Sequence, residues 1–530
     1  MPRGRPSRSL ELVSHVEAEE IVARIGEENE KKYNAKNAAL AAIDPATGQL
    51  LTMVGSRDYF AVEREGNYNV TTSKNRQPGS AFKPLAYAAF FQKGFPPNTV
   101  LFDVKTEFST DPAQSYIPFN YDERFRGPVS VKSSLAQSLN VPSVQVLYLA
   151  GIDATVTLAH EMGVTTLNDQ SVLGLSLVLG GGEVPPLDMA YAYGVFANDG
   201  VRQEKTFILK IEDAYGKTIE KWTPKSEKVL APNIARTITA ILSDNALRAP
   251  VFGERSPLFF ENEQVAAKTG TTQNYRDAWV VGYTPSVSAA IWVGNNDGTP
   301  MERGGAGIAA AGPIFNAFMK RAIQLKGASP FPSPDPMQST KPLLNGNYVG
   351  EVVMKIDGDS QKRITERTPP NKIEEKTFKE IHSILHYVNK DDPLGDSPQN
   401  PQTDSQYYNW EVAMRDWIAE NKTFAVPVEI PPTQYDDIHT ELNTPRITIT
   451  EPLPYTAVSD AFYARASVAA PFAIKEVSFF LDGVFAYADF QYPYEAMLGF
   501  PPLASGPHTL TVHAYDMYDN VGSQEILFLR

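Results

Sequence analysis

A serine and a lysine three positions apart, Ser80 and Lys83, lie in a segment that runs Gln-Pro-Gly-Ser-Ala-Phe-Lys-Pro over residues 77–84. On a helix this spacing puts both side chains on one face, with the amine within reach of the hydroxyl. A serine hydroxyl needs a neighbouring base, and a lysine serves as one only when its pKa is lowered. Pro78 and Gly79 fit the start of a helix, where free amide hydrogens favour a developing oxyanion. The pattern predicts acyl transfer through a serine, although an exposed Ser-x-x-Lys also arises by chance.

Two further polar motifs follow in the chain. Ser138-Leu139-Asn140 comes after the Ser80 segment, and a Lys-Thr-Gly-Thr segment begins later still, at Lys268, on a predicted strand. Taken singly, the first fits a helix cap and the second a plain turn. In this order and spacing, the three motifs together resemble the transpeptidase domain of class A penicillin-binding proteins, a family related to the Ser-x-x-Lys and Lys-Thr-Gly enzymes.

The resemblance extends over about residues 10–327. It predicts the α+β fold shared with serine β-lactamases, in which helices pack around a central antiparallel sheet and the site lies between the sheet and the helices. The segments that carry the wider resemblance are residues 37–48, 53–59, 277–285 and 292–296.

The resemblance also implies a role for each motif residue. Ser80 would attack the carbonyl of a D-Ala-D-Ala stem peptide while Lys83 takes its proton. The Ser138 hydroxyl would relay a proton to the departing D-alanine, and the Asn140 amide would hold the substrate and Lys83. Lys268 would attract the substrate carboxylate. The implied reaction is a ping-pong acyl transfer to an amine of a neighbouring stem peptide, and a β-lactam would trap Ser80.

The remaining implied contacts lie along the Lys-Thr-Gly-Thr strand. Thr269 would donate a hydroxyl hydrogen bond, and Gly270, having no Cβ, would let the substrate lie close to the strand edge. The backbone amides of Ser80 and Thr271 would form the oxyanion hole. Thr272 is a weaker candidate for support of the substrate.

The surrounding sequence predicts elements that could hold these residues. Residues 10–32 have the apolar spacing of an amphipathic helix, and residues 38–54 form two apolar runs around a Pro- and Gly-containing turn, which predicts a β-hairpin. Helical patterns dominate residues 80–197, and β-type sequence returns over residues 264–293. Two β regions are therefore expected to bracket a helical middle.

The C-terminal part has a different composition. Prolines cluster after residue 328, and from residue 445 short apolar strands recur with turn signals, among them the pair Asp482-Gly483, which favours a tight hairpin. About seven strands predict an immunoglobulin-like sandwich. Its aromatic strands could bind a glycan or other cell-wall synthesis proteins, but alternating aromatic residues are more typical of a core. The expected divisions are a disordered leader or truncation point at 1–9, the transpeptidase at 10–327, an α+β linker region at 328–444 and the sandwich at 445–530.

Composition excludes several classes of function. The chain of 530 residues has a formal net charge of −14 and no cysteine. This charge disfavours nucleic acid as a partner, and the lack of cysteine excludes disulfides and thiolate catalysis. No apolar run is long enough to span a membrane.

Two segments are candidates for a metal site. His382 and His386 lack the carboxylate of a metalloprotease motif and predict an ordinary amphipathic helix face, and residues 357–359 predict a turn rather than a calcium loop. Neither a metal nor a cofactor is expected.

Several alternatives remain open. Class A enzymes usually carry a membrane anchor and a glycosyltransferase domain ahead of the transpeptidase, so the chain is expected to be either a fragment or a stand-alone transpeptidase. A DD-carboxypeptidase or a β-lactamase of the same fold is a second candidate, although Glu161 lacks the context of a deacylating base. A third is a non-catalytic wall-binding or β-lactam-sensing module. The substrate implies an extracytoplasmic location in the cell envelope.

Overall fold

The computed structural model describes residues 15–213, 215–327, 329–424, 430–499 and 505–530. The chain divides into two compact units, one of Met1–Gly350 with Ile381–Val426 and one of Glu351–Glu380 with Pro427–Arg530. The predicted leader at residues 1–9 and the start of the predicted helix at residues 10–14 lie outside the described residues. The predicted domain boundaries at residues 327 and 444 stay predictions.

A five-stranded antiparallel sheet forms the centre of the first unit. Its strands are β1 Asn37–Ile43, β2 Leu50–Val54, β9 Ala266–Thr271, β10 Asp277–Thr284 and β11 Val287–Gly294. They lie in the order β2-β1-β11-β10-β9, so the predicted hairpin is present as β1 and β2 and the later β region supplies the other three strands. Shorter strands of this unit are β3 Val100–Asp103, β4 Gly127–Ser130, β5 Val201–Gln203, β6 Lys210–Glu212, β7 Thr218–Lys221 and β8 Ser226–Lys228.

Helices cover both faces of this sheet, which confirms the predicted α+β architecture. Successive side chains of a strand point to opposite faces, and in β1 Ala39 and Ala41 join one core while Ala38 and Leu40 join the other. Burial on both faces explains why β1 is apolar at almost every position. The helices are α1 His15–Tyr33, α2 Lys83–Gln92, α3 Val131–Gln137, α4 Val141–Ala150, α5 Ile152–Glu161, α6 Pro186–Ala197, α7 Pro232–Ser243, α8 Asn245–Phe252, α9 Gly307–Ala310, α10 Gly312–Lys326, α11 Ile384–Tyr387 and α12 Tyr407–Glu420.

The second unit is built from β-strands. These strands are β12 Gly350–Asp357, β13 Ile373–Glu380, β14 Arg446–Glu451, β15 Ala461–Ala469, β16 Ile474–Leu481, β17 Val484–Asp489, β18 Tyr494–Gly499, β19 Pro507–Asp516 and β20 Val521–Leu529. Strands β12 and β13 pair with each other, and the other seven form two sheets, β14-β15-β18 and β17-β16-β19-β20, around one shared core. Asp482 and Gly483 both have positive φ and connect β16 to β17 as the predicted two-residue hairpin. The predicted sandwich is therefore confirmed.

Two local predictions were wrong. The helix near the histidine pair begins only at Ile384, so His382 precedes it, and the two imidazole rings of His382 and His386 stack at 3.8 Å instead of following one helix face. In the sandwich, Phe479 is buried, but Phe485 and Tyr487 on edge strand β17 are 58% and 49% exposed. Alternation along a strand predicts that these side chains belong to the core. On an edge strand of a sandwich, however, no neighbouring strand covers them.

No single helix in the described part of the chain combines the length and the apolar composition that a membrane span requires. Two consecutive helices, Val141–Ala150 and Ile152–Glu161, meet these criteria only when taken together, and they are bent by 85°.

Candidate active site

Ser80 lies in a short 3-10 turn, Gly79–Phe82, that leads directly into α2 at Lys83. The turn rather than an α-helix therefore carries the serine. Gly79 has a φ of 56°, which a residue with a Cβ seldom adopts. Within the described residues the hydrogen bonds of Lys83 Nζ go to other oxygens, and none joins it to Ser80 Oγ.

The Lys83 amine is instead held by the Ser138–Asn140 segment. Lys83 Nζ donates to the Ser138 carbonyl oxygen at 2.8 Å, to the Leu139 carbonyl oxygen at 2.9 Å and to Asn140 Oδ1 at 2.8 Å. Its side chain is fully buried. Burial, followed by the positive charge of Lys268, lowers the pKa of Lys83 well below its ordinary value, while the Asp103 charge acts in the opposite direction. A buried lysine with a lowered pKa is suited to accept a proton.

Ser138 connects the two buried lysines. It closes the C-terminus of α3 in the left-handed conformation, with φ 61° and ψ 33°. Its carbonyl oxygen accepts from Lys83, and its hydroxyl accepts from Lys268 Nζ at 2.7 Å. The left-handed turn thus presents the carbonyl and the hydroxyl of one residue to two different amines.

Lys268 lies on β9, the edge strand of the central sheet, as predicted. Besides Ser138, its amine donates to the Thr269 carbonyl oxygen at 3.0 Å. Burial lowers the pKa of Lys268 to about 7. An amine with this pKa has both protonation states available near neutral pH.

Glycines bring the Ser80 turn against strand β9. A Cβ added to Gly270 would overlap the Pro78 carbonyl oxygen, and one added to Gly79 would lie 2.8 Å from the Thr271 amide nitrogen. On the other side of the turn, a Cβ on Gly180 would overlap the Gly79 backbone. The missing Cβ of Gly270 therefore makes room for the serine turn itself, which is a different reason for glycine from the predicted approach of substrate.

A cavity of about 730 Å³ brings most of the predicted residues together, while Lys83, Lys268 and Gly270 are not among the residues that line it. Thr271 Oγ1 accepts from the Gly307 amide at 3.0 Å, and Thr272 Oγ1 accepts from the Asp277 amide at 2.9 Å. These two hydroxyls thus also hold the strand and the turn that follows it. The predicted residues that line the cavity are Ser80, Ser138, Asn140, Thr269, Thr271 and Thr272.

Asn120, which lines this cavity, and its partner Asp103 were missed from the sequence. Asn120 Oδ1 accepts from the Asn140 amide at 2.7 Å, and Asn120 Nδ2 donates to both carboxylate oxygens of Asp103 at 2.9 Å. Asp103 ends strand β3 and is fully buried. The sequence does show a charged residue, Asp103, directly after the apolar run 100–102. Nothing in the neighbouring sequence indicates that Asn120 is its partner.

Comparison with known proteins identifies families for both parts of the chain. The family described as "Penicillin binding protein transpeptidase domain" matches residues 38–320. The chain belongs to this penicillin-binding protein family. A second family, "Bacterial Ig domain", matches residues 445–512, in agreement with the sandwich. The predicted family is therefore confirmed.

Relatives of this penicillin-binding protein share the transpeptidase region. Penicillin-binding protein 1A of Aquifex aeolicus is 33% identical over 288 residues, which are 53% of this chain and 37% of the relative. Penicillin-binding protein 1A of Neisseria flavescens is 30% identical over 324 residues, 60% of this chain and 38% of that protein. The chain thus spans less than two fifths of the length of these curated relatives.

Solved structures share the fold. The crystal structure of Penicillin-Binding Protein 1A from Haemophilus influenzae aligns with a TM-score of 0.51 and 25% identity, over 64% of this chain and 53% of that one. PonA1 from Mycobacterium tuberculosis in complex with penicillin V aligns with a TM-score of 0.52 and 25% identity, over 61% of this chain and 87% of that one.

Proposed function

We propose that this protein is a peptidoglycan DD-transpeptidase that forms a penicillin-sensitive acyl-enzyme on Ser80. The observation that carries the proposal is the convergence of three distant motifs on one cavity of about 730 Å³. Ser80, the turn at Ser138 and strand β9 meet there, with two buried lysines behind them. Membership of the transpeptidase family supports the same reaction class.

In the acylation step, Ser80 Oγ attacks the carbonyl carbon of the penultimate D-alanine and transfers its proton to Lys83 Nζ. The pKa of Lys83 is lowered by burial and by Lys268, which favours the neutral amine that this step needs. The tetrahedral oxyanion is stabilised by the backbone amides of Ser80 and Thr271, whose segments the glycine contacts hold together. The amide bond then breaks and leaves an ester on Ser80.

The leaving D-alanine nitrogen takes a proton through the Ser138 hydroxyl, which is replenished from Lys83. Lys268 in its protonated form attracts the terminal carboxylate of the donor peptide, with the Thr269 hydroxyl beside it, and Asn140 orients the peptide through its amide. Thr272 supports the strand end through its bond with Asp277. In the second half-reaction, an amine of a neighbouring stem peptide attacks the ester, forms the new amide and returns the proton to Ser80.

The substrate implies a location in the cell envelope, outside the cytoplasmic membrane. Peptidoglycan stem peptides and β-lactams are the proposed ligands, and PonA1, which shares the fold, forms a complex with penicillin V. The sandwich is a candidate contact for other cell-wall synthesis proteins.

The test is to incubate the protein with a fluorescent penicillin and to locate the modified peptide by mass spectrometry, with Ser80→Ala as the control. One adduct on the peptide containing Ser80, absent from the variant, is the expected result. A folded wild-type protein without an adduct would overturn the proposal and would favour a non-catalytic wall-binding module. Product analysis with a D-Ala-D-Ala donor peptide and an added amine then separates transpeptidation from the hydrolysis expected of a DD-carboxypeptidase or a β-lactamase.

A further inference from the structure

Asp103 is a fully buried carboxylate that none of the proposed steps uses. Its oxygens accept from Asn120 Nδ2, and Oδ2 also accepts from the Arg126 amide at 3.1 Å. Burying a charge is unfavourable unless it is hydrogen-bonded, so a carboxylate at this position needs a reason. A role for this carboxylate follows from its partner Asn120, which in turn binds Asn140.

The orientation of the Asn120 amide is fixed by its partners. Its nitrogen faces three acceptors, the two oxygens of Asp103 and the Arg124 carbonyl oxygen at 2.7 Å, and its oxygen faces the Asn140 amide hydrogen. Asn140 Nδ2 donates in return to the Phe119 carbonyl oxygen at 2.6 Å. Two reciprocal hydrogen bonds therefore fasten residues 119–120 to Asn140.

The two hydrogen bonds between residues 119–120 and Asn140, together called the clamp, lie next to the proposed base Lys83. Asn140 Oδ1, directed by the clamp, accepts from Lys83 Nζ at 2.8 Å, and the carbonyl oxygens of Ser138 and Leu139 lie within hydrogen-bonding distance of the same amine. We infer that Asp103 and Asn120 are positioning residues, which hold the turn at residues 138–140 against the Lys83 amine. The inference rests on the proposed function, because it assigns these residues to the same acylation step.

The charges around the clamp define a second consequence. Four ionisable groups interact electrostatically with Asp103. Arg126 and Asp122 belong to the segment between β3 and β4, and Tyr87 and Lys83 belong to α2. Burial raises the pKa of Asp103 to about 6, so its carboxylate is mainly ionised at neutral pH. The negative charge raises the pKa of Lys83, against the lowering effects of burial and of Lys268. Removal of the Asp103 charge should therefore let Lys83 lose its proton at lower pH.

The experiment measures the second-order rate constant for acylation by fluorescent penicillin from pH 5 to 9. Asn120→Ser shortens the side chain so that it no longer reaches both partners, and it should slow acylation about 10- to 100-fold because the turn loses its position. Asp103→Asn should slow acylation less than Asn120→Ser does, and it should move the acid limb of the pH profile to lower pH. A merely structural role would lower the melting temperature without moving that limb.

Asp188→Asn is the matched control, since Asp188 is also a buried carboxylate and accepts from Thr165 away from the cavity. It should keep both the wild-type rate and the wild-type pH profile. Folded Asn120→Ser and Asp103→Asn proteins that acylate at the wild-type rate with an unchanged profile would overturn the inference alone. An absence of adduct in the wild-type protein would overturn the proposed function and this inference together.

Discussion

Lys268 Nζ donates a 2.7 Å hydrogen bond to Ser138 Oγ, which joins the edge strand of the central sheet to the turn that ends helix α3. Ser138 thereby contacts both lysines of the site, since its carbonyl oxygen accepts from Lys83. A change at any one of these residues should alter the hydrogen bonding or the charge state of the other two. Acylation rates and stabilities of single variants measure this coupling.

Ser138→Ala and Ser138→Gly both remove the hydroxyl that accepts from Lys268, so each should slow acylation. Their stabilities should differ, because φ at this position is positive and glycine adopts this conformation without the Cβ penalty. Urea denaturation should show Ser138→Ala less stable than Ser138→Gly by about 1 kcal/mol. Ser133→Ala, in the same helix, is the control and should lie near the wild type. Equal or reversed stabilities of the two variants would contradict a strained turn.

Lys83→Met removes the proposed base together with the donor to three oxygen atoms. Acylation by fluorescent penicillin should fall by about 10²- to 10⁴-fold, the usual contribution of a general base. Lys93→Met provides a matched change at the C-terminal end of α2, where the amine donates to the Leu149 carbonyl oxygen and Asp391 outside the cavity. That variant should acylate as the wild type does. A Lys83→Met protein that retained the wild-type rate would remove Lys83 from the mechanism.

Lys268 should make stability depend on pH. Burial lowers its pKa to about 7 in the folded protein, against an ordinary value of 10.5. Between these two pH values the unfolded chain binds a proton that the folded chain does not, so this lysine makes stability rise with pH by up to about 1.4 kcal/mol per pH unit. Denaturation at pH 7.5 and 9 should show a larger rise for the wild type than for Lys268→Met. An equal rise in both proteins would mean that the amine is not buried as described.

Gly270→Ala adds a methyl group against the Pro78 carbonyl oxygen, so the serine turn or strand β9 must shift. Because a displacement of about 1 Å in a reacting group can cost 100-fold, acylation should fall by about 10- to 100-fold. Gly174→Ala is the control, since its added Cβ would meet no atom within 4 Å and its φ is −120°. Acylation rates and melting temperatures of both variants are the measurement. A wild-type rate in Gly270→Ala would show that the contact does not position Ser80.

Local sequence determined much of the architecture. Strand alternation and turn residues predicted the hairpin of β1 and β2 and the sandwich hairpin at Asp482-Gly483, because these features depend on neighbours in the chain. The order of the three motifs was sufficient to indicate the family, since each motif is a short continuous segment. The roles proposed for their residues remain predictions.

Other features depended on contacts between distant segments. The spacing of Ser80 and Lys83 predicted a direct contact, yet the tertiary structure gives the Lys83 amine three partners on the distant segment Ser138–Asn140. Likewise, the Pro78 carbonyl oxygen occupies the space that a Cβ at residue 270 would need. Helical period and residue type describe one element at a time, so they cannot specify such contacts.

The sequence alone therefore indicated the family and the segments proposed to carry the chemistry, and it predicted the strand that holds Lys268 but not the 3-10 turn that holds Ser80. Only the tertiary structure decided which atoms meet, that Lys83 and Lys268 share Ser138, and that Asp103 and Asn120 stand behind Asn140. The physical reason is that hydrogen-bond partners, and the burial that lowers the pKa of both lysines, are properties of the packed chain rather than of any one segment.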